Sequence, residues 1–179
     1  MEICTERLIL QEITKNDATI IHELHSLPEV DEFNTLGIPK DLEETKAIIQ
    51  LDINDQKEST RSRFCWKIML GKDRTFMGLA GLFLSNDRFK MGEFYYKFFP
   101  EFWGNGYATE TAKAVINFGF SQYLLHRIEA GVATGNTASI RVLEKVGMVR
   151  EGIRRKILPI RGEWKDNFHY AILEEDSQN

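Results

Sequence analysis

"PEFWGNGYATETA", residues 100–112, places two glycines two positions apart, Gly104 and Gly106, behind Trp103 and ahead of a helical run. One glycine is enough for most loops, so the pair raises the question of what the backbone must approach. The stretch before it, "MGEFYYKFF" (91–99), reads as a strand that Pro100 stops. A helix is expected from about residue 105 to 121, with Ala108, Ala112, Val115, Ile116 and Gly119 on one face. The first amides of a helix have no partner within it and all point one way. The helix adds about half a positive charge at that end. A strand, a glycine turn and a helix start thus form an anion site that phosphate oxygens reach without meeting a Cβ. A plain turn needing positive φ would use the same glycines. Two other phosphate loops are excluded. Position 109 is Thr and the preceding strands form hairpins, unlike a Rossmann GxGxxG, and no GK[ST] follows as in a Walker A loop.

Working outward, "ERLILQEI" (6–13) reads as a first strand, and "TKNDATIIHELHSL" (14–27) as a helix with Ile20, Ile21, Leu24 and Leu27 at helical spacing. A second helix is expected over 41–55, which opens on an acidic turn and carries Leu42, Ile48, Ile49 and Ile53. Strands follow at 63–70 and 75–85, separated by the turn signal "GKDR". Beyond the glycine turn come a strand at 126–133, a helix at 136–146 and two last strands, "MVREGIRRKIL" and "WKDNFHYAIL". Asn136 or Thr137 starts that helix and Gly147 stops it. Hairpins early and late pair antiparallel. The strand–helix–strand in the middle pairs parallel, because a helical crossover returns the chain in the same direction. The expected fold class is α/β (α+β): a mixed, mostly antiparallel sheet with helices on both faces. Residues 1–179 show no linker or repeat and read as one domain.

Composition bounds function. A net charge of −4 argues against nucleic acid. The basic run Arg150, Arg154, Arg155 and Lys156 reads as a solvated strand edge or turn. The acidic balance favours a cationic amine as partner. No apolar run reaches the roughly 20 residues that cross a bilayer, so no membrane partner is expected. The N-terminus has no leader pattern, and Cys4 and Cys65 read as buried or half-buried thiols of a reducing cytosol. His22 and His25 lack companions at ligand spacing, so no metal is expected. His126 and His169 read as structural. A homo-oligomer is compatible with all of this.

The segment "YYKFFPEFWGNGYATETAKAVINFGF" resembles the acyl-CoA-binding motif of the GNAT N-acetyltransferase superfamily, in which Arg/Gln-x-x-Gly-x-Gly/Ala follows a strand. Trp103, Gly104, Gly106 and Ala108 occupy it, with Trp103 standing where the family has Arg or Gln. "TGNTASIRVLEKVGMVREGIRR" resembles the Asn–helix–Gly segment of the RimJ/RimL-type ribosomal-protein branch, with Met148 in place of Phe. "TERLILQEITKNDA" and "GEWKDNFHYAIL" are similar to that branch's first and last strands, so the resemblance spans nearly the whole chain in order.

The resemblance implies that acetyl-CoA lies between two splayed parallel strands, here 91–99 and 126–133. The pyrophosphate would rest on amides of Gly104, Asn105, Gly106, Tyr107, Ala108 and Thr109, and Asn136 near the pantetheine. The thioester oxygen would take the amide of Phe98 or Phe99. Glu93 matches a common glutamate of the branch and is the candidate base; a strand glutamate paired to a neighbour or solvated is the alternative. The tyrosine that many relatives use to protonate the leaving thiolate falls on Leu143. Ser139, one turn earlier, matches the serine proposed as acid in RimL-type enzymes; a proton donor or CoA contact stands against a plain first-turn serine. Asn136 also fits as a simple N-cap. Tyr95, Tyr96 and Tyr107 remain candidates for the missing proton donor, although such tyrosines are more often core or wall residues. The acceptor region is shaped by the first two helices and the last hairpin, where Glu29, Asp31, Glu32, Glu163 and Asp166 are available to attract a cation, with plain solvated surface as the alternative. The expected activity is acetyl transfer to a primary amine. The acceptor is a peptide N-terminus or a small amine such as a polyamine or aminoglycoside; a non-catalytic CoA-binding module is the remaining alternative.

Overall fold

The computed structural model describes residues 1–85 and 88–176. Among them eight strands form one sheet: β1 (Glu2–Cys4), β2 (Leu8–Glu12), β3 (Arg63–Leu70), β4 (Phe76–Leu84), β5 (Met91–Phe98), β6 (Arg127–Ala133), β7 (Val149–Ile160) and β8 (Glu163–Leu173). Their spatial order is β1-β2-β3-β4-β5-β6-β8-β7, and every neighbouring pair is antiparallel except β5 and β6. The mixed sheet read from the sequence is therefore present, with one short extra strand, β1.

The helices are α1 (Ala18–His25), α2 (Pro28–Asp31), α3 (Leu42–Asp55), α4 (Tyr107–Tyr123) and α5 (Thr137–Lys145). The first is shorter than its periodicity suggested. Leu27 precedes Pro28 and is extended, with φ −75° and ψ 125°, because the proline ring disfavours a helical residue before it. A 3-10 turn at Lys15–Asp17 takes up the other end. Asp41 caps α3 by accepting the Glu44 amide at 2.8 Å.

Two cores fill the faces of the sheet. On one side α4 and α5 pack Ala112, Val115, Ile116, Phe118 and Leu143 against Phe64, Trp66, Ile128 and Tyr170. On the other, α1 and α3 pack Ile21, Leu24, Ile49 and Ile53 against Cys65 and Leu79. Each buried Val, Leu, Ile or Phe among them contributes about 1.5–3 kcal/mol by leaving water. Leu143 and Met148 belong to the first core. Cys65 is buried, with its thiol pushed up to about 12 by desolvation, but Cys4 is exposed, contrary to expectation: β1 is a short edge strand with nothing over that residue. β7 forms the opposite edge, where Arg150, Arg154, Arg155 and Lys156 are all exposed. Charge along a free edge deters pairing with another chain. Among the described residues no helix is long and apolar enough to cross a membrane.

Candidate active site

The parallel pairing of β5 and β6 is brief. It covers Met91, Gly92 and Glu93 opposite Arg127, Ile128 and Glu129, then stops, although β5 runs on to Phe98 and β6 to Ala133. The two strands thus part into a slot. The ladder with β4 fixes which β5 groups face it. Phe99 donates its amide to the Met77 carbonyl at 2.9 Å, and bonded positions in an antiparallel ladder alternate. Positions 93, 95, 97 and 99 therefore bond β4, while the amides of Tyr96 and Phe98 turn to the slot. Phe99 is thereby separated from Phe98 as a carbonyl-oxygen donor: its amide is already used.

At the outer end of β5 the glycine turn takes the backbone that it was read to need. Gly104 has φ +76° and Gly106 φ +80°, a region that side chains disfavour. A Cβ on Gly104 would meet nothing within 4 Å, so the backbone there faces open space. Gly106 is the N-cap of α4, and no side chain caps the helix, which leaves the first-turn amides of Tyr107, Ala108 and Thr109 for a ligand. Trp103 does not reach toward them; its indole donates to the Phe98 carbonyl at 2.9 Å and so ties the turn to β5. Asn105 is also occupied locally, its side-chain amide donating to the Trp103 carbonyl.

Arg7, just before β2, adds a contribution that sequence reading missed. Its guanidinium donates to the Asn105 carbonyl at 3.1 Å and to Glu110 at 2.7 Å, and lies 4.5 Å over the Tyr107 ring. It would be the nearest neighbour of a Cβ on Gly106, at 3.6 Å. The bonds from Thr5 and Arg7 hold the Glu110 carboxyl below the usual range despite partial burial. A cation thus braces the turn beside the helix start.

On the α4/α5 face, Asn136 caps α5 by accepting the Ser139 amide at 3.1 Å. Tyr96 donates to Ser139 Oγ at 3.0 Å. Burial pushes the Tyr96 hydroxyl up to about 12, opposed only by that bond. Leu143, one turn on from Ser139, is buried in the core. Strand parity puts Glu93, Tyr95 and Lys97 on the other face. Glu93 is exposed, at the foot of the slot opposite Glu129, and its carboxylate has no partner among the described residues. Glu129 is paired with Arg127 at 2.7 Å and His169 at 3.4 Å. Tyr95 lies flat over Gly81 and bonds Cys65, which removes it from the slot. Lys97 donates to Asn34 at 3.1 Å, and burial pulls its amine down to about 8.

The acids expected to draw a cation are largely engaged. Asp31 is buried and paired with Arg161 at 3.1 Å, Glu163 pairs with Lys165, and Asp166 accepts the Lys156 amide at 2.9 Å. Arg161 also donates to the Pro28 carbonyl, latching the last hairpin onto α2. Among the described residues Glu29 and Glu32 stay outside such pairs.

Comparison with known proteins agrees with the fold and shows the family. The family model described as "Acetyltransferase (GNAT) domain" matches residues 7–149. An uncharacterized N-acetyltransferase of Bacillus subtilis (strain 168), YnaD, is 31% identical over 178 residues, 98% of this chain and 99% of that one. Two solved structures superpose throughout. The spermidine N-acetyltransferase of Vibrio cholerae, in complex with CoA and spermine, has a TM-score of 0.86 at 22% identity, covering 98% of this chain and 100% of that one. The ribosomal-protein-S5-alanine acetyltransferase of Vibrio fischeri has 0.84 at 21%, covering 100% of both.

Proposed function

The chain belongs to the GNAT acetyltransferase family and is an N-acetyltransferase, and from that premise we propose that its acceptor is the α-amine of a basic polypeptide N-terminus, as in the RimJ/RimL-type branch. The observation that carries this is the buried Lys97 amine on the acceptor face, with the buried Asp31 of that region already paired to Arg161. A polyamine presents several cations and needs a carboxylate for each. Here Asp31 is buried and paired with Arg161, Glu163 pairs with Lys165 and Asp166 takes a backbone amide. This leaves Glu29 and Glu32 as the carboxylates of that region outside pairs among the described residues, and the Lys97 amine lies on the same face. A neighbouring ammonium also lowers the pKa of an incoming amine. An α-amine, with a pKa near 8, then becomes neutral far more easily than a polyamine nitrogen near 10.4.

The chain's residues divide the work as follows. Amides from Gly104 to Thr109, with Arg7 behind them, hold the pyrophosphate of acetyl-CoA. The open space at Gly104 and the uncapped start of α4 fit that group. The Asn136 side-chain NH₂ has no partner among the described residues and meets the pantetheine, while its oxygen caps α5. The slot-facing amides of Tyr96 and Phe98 offer donors to the thioester oxygen as charge develops there. The acceptor amine arrives from the α1/α3 face, where Glu93 lies. Three residues of strand, about 10 Å, separate Glu93 from Tyr96. Glu93 therefore takes the amine proton through water. Ser139 faces the sulfur from the opposite side. A free thiol titrates near 8.5, so the thiolate departs with modest help, and Leu143 in place of tyrosine is tolerated.

The test compares kcat/KM for basic N-terminal peptides, spermidine and spermine at one pH. The peptides are expected to exceed the polyamines by at least tenfold. A polyamine turned over faster than every peptide would reject this acceptor.

A further inference from the structure

Two hydroxyls, on Tyr96 and Ser139, meet across the slot. Tyr96 is on β5, and Ser139 is on the helix that follows β6, so their hydrogen bond spans the two diverging arms. Each hydroxyl carries one proton, and one bond uses one of them. The other proton has no acceptor among the described residues. Both groups are held in place by their own elements. The Tyr96 ring packs between Phe94 at 5.7 Å and Phe98 at 6.1 Å. Ser139 is fixed in the first turn of α5 by the Asn136 cap. A pair this constrained, with a spare donor beside the slot, is arranged for an acceptor that only a ligand supplies.

Resting on the acetyltransferase reading above, we infer that Tyr96 is a positioning residue: its hydroxyl donates to Ser139 Oγ and so turns the Ser139 O–H toward the thioester sulfur. As the amine nitrogen bonds the acetyl carbon, the C–S bond breaks and its electron pair goes to sulfur. The Ser139 O–H hydrogen-bonds that thiolate, and no proton leaves Tyr96. The energetics favour this over a relay. Burial pushes the Tyr96 hydroxyl up to about 12, and a free thiol titrates near 8.5, so full transfer from Tyr96 to sulfur runs uphill. A fixed hydrogen bond to a charged sulfur carries no such cost and is among the stronger kinds.

The experiment titrates the thiol of bound CoA, through the ultraviolet absorbance of its thiolate, in the wild-type protein, Tyr96→Phe, Ser139→Ala, Ser139→Thr and the Tyr96→Phe/Ser139→Ala pair. The bound thiol is expected below its ordinary value in the wild type. Tyr96→Phe and Ser139→Ala should each raise it by about one pH unit. The double variant should add nothing further, and Ser139→Thr should keep the low value. In steady state, kcat should fall about tenfold in each single variant with KM for acetyl-CoA unchanged. Phenylalanine keeps the ring packing, so melting temperatures should agree. A Tyr96→Phe protein whose bound thiol titrates like the wild type overturns the inference, as do fully additive single effects. CoA that fails to bind the wild-type protein overturns the acetyltransferase reading itself, and is told apart by that failure.

Discussion

Gly78→Ala tests whether the position of β5 controls the reaction. Gly78 lies opposite Phe98 in the β4–β5 ladder. A Cβ built on it falls 2.0 Å from the Lys97 carbonyl oxygen and 2.8 Å from Phe98 Cα. Ordinary contact begins at 3.4 Å, so the strands must part by about 1.4 Å. β4 is held between β3 and β5, whereas β5 past Glu93 has only the slot beyond it. The yield therefore falls on β5, and the Phe98 amide moves by about an ångström into the slot. Misplacing a reacting group by about 1 Å costs roughly 100-fold, the low end of what losing an oxyanion donor costs. Overpacking a strand costs about 1–3 kcal/mol, or some 2–4 °C of melting temperature per kcal/mol in a chain of this size. Steady-state acetyl transfer and thermal melting are measured together. Gly152→Ala is the control, since a Cβ there meets nothing within 4 Å. A folded Gly78→Ala protein with a rate within threefold of the parent would refute the placement of the carbonyl-oxygen donors on β5.

Gly104→Val or Gly106→Val should weaken acetyl-CoA by at least tenfold, about 1.4 kcal/mol, by calorimetry on folded protein; unchanged affinity would return the turn to a purely structural role. Glu93→Gln should lower kcat and leave acetyl-CoA affinity alone, and a pH–rate profile identical to the parent's would make Glu93 a solvated strand residue. His25 is buried and held at about 3, chiefly by desolvation and also by Lys97, against an ordinary 6.5. The unfolded chain therefore binds the proton first, and stability falls as pH drops through 6.5 toward 3. By pH 5 the loss is about 2 kcal/mol. Urea melts at pH 7 and pH 5 should show it, and His25→Leu should remove most of it.

The parts of the site that local chemistry dictates were legible in the sequence. Gly104 and Gly106 need positive φ, Asn136 is a good cap, and Pro100 ends a strand; each is a property of a few neighbouring residues. β3 spans 63–70, as its apolar run suggested, because a strand buried on both faces needs no pattern beyond apolarity. What escaped depends on register and on distant partners. Arg7 reaches Asn105 across 98 positions, and Arg161 reaches Asp31 across 130. Nothing in either neighbourhood marks these pairs. Phe98 and Phe99 look alike in sequence, and only the parity of the β4–β5 ladder separates the amide facing the slot from the one bonded to Met77. Nothing in the sequence singles out Tyr96 from Tyr95 and Tyr107 as candidates, because its partner, Ser139, lies on another element. Of the acids in the acceptor region, open in the sequence to attracting a cation or to plain solvation, Asp31 is the one whose basic partner, Arg161, comes from the distant last hairpin.

The most direct test of the site is a backbone-amide NMR titration of the protein with CoA. The account predicts that the amides of Tyr96, Phe98 and residues 104–109 shift together with Asn136 and Ser139, while those of β3 and of the β7–β8 hairpin stay in place. Shifts centred on that hairpin or on α3, with Tyr96, Phe98 and the glycine turn unmoved, would contradict the placement of acetyl-CoA between β5 and β6.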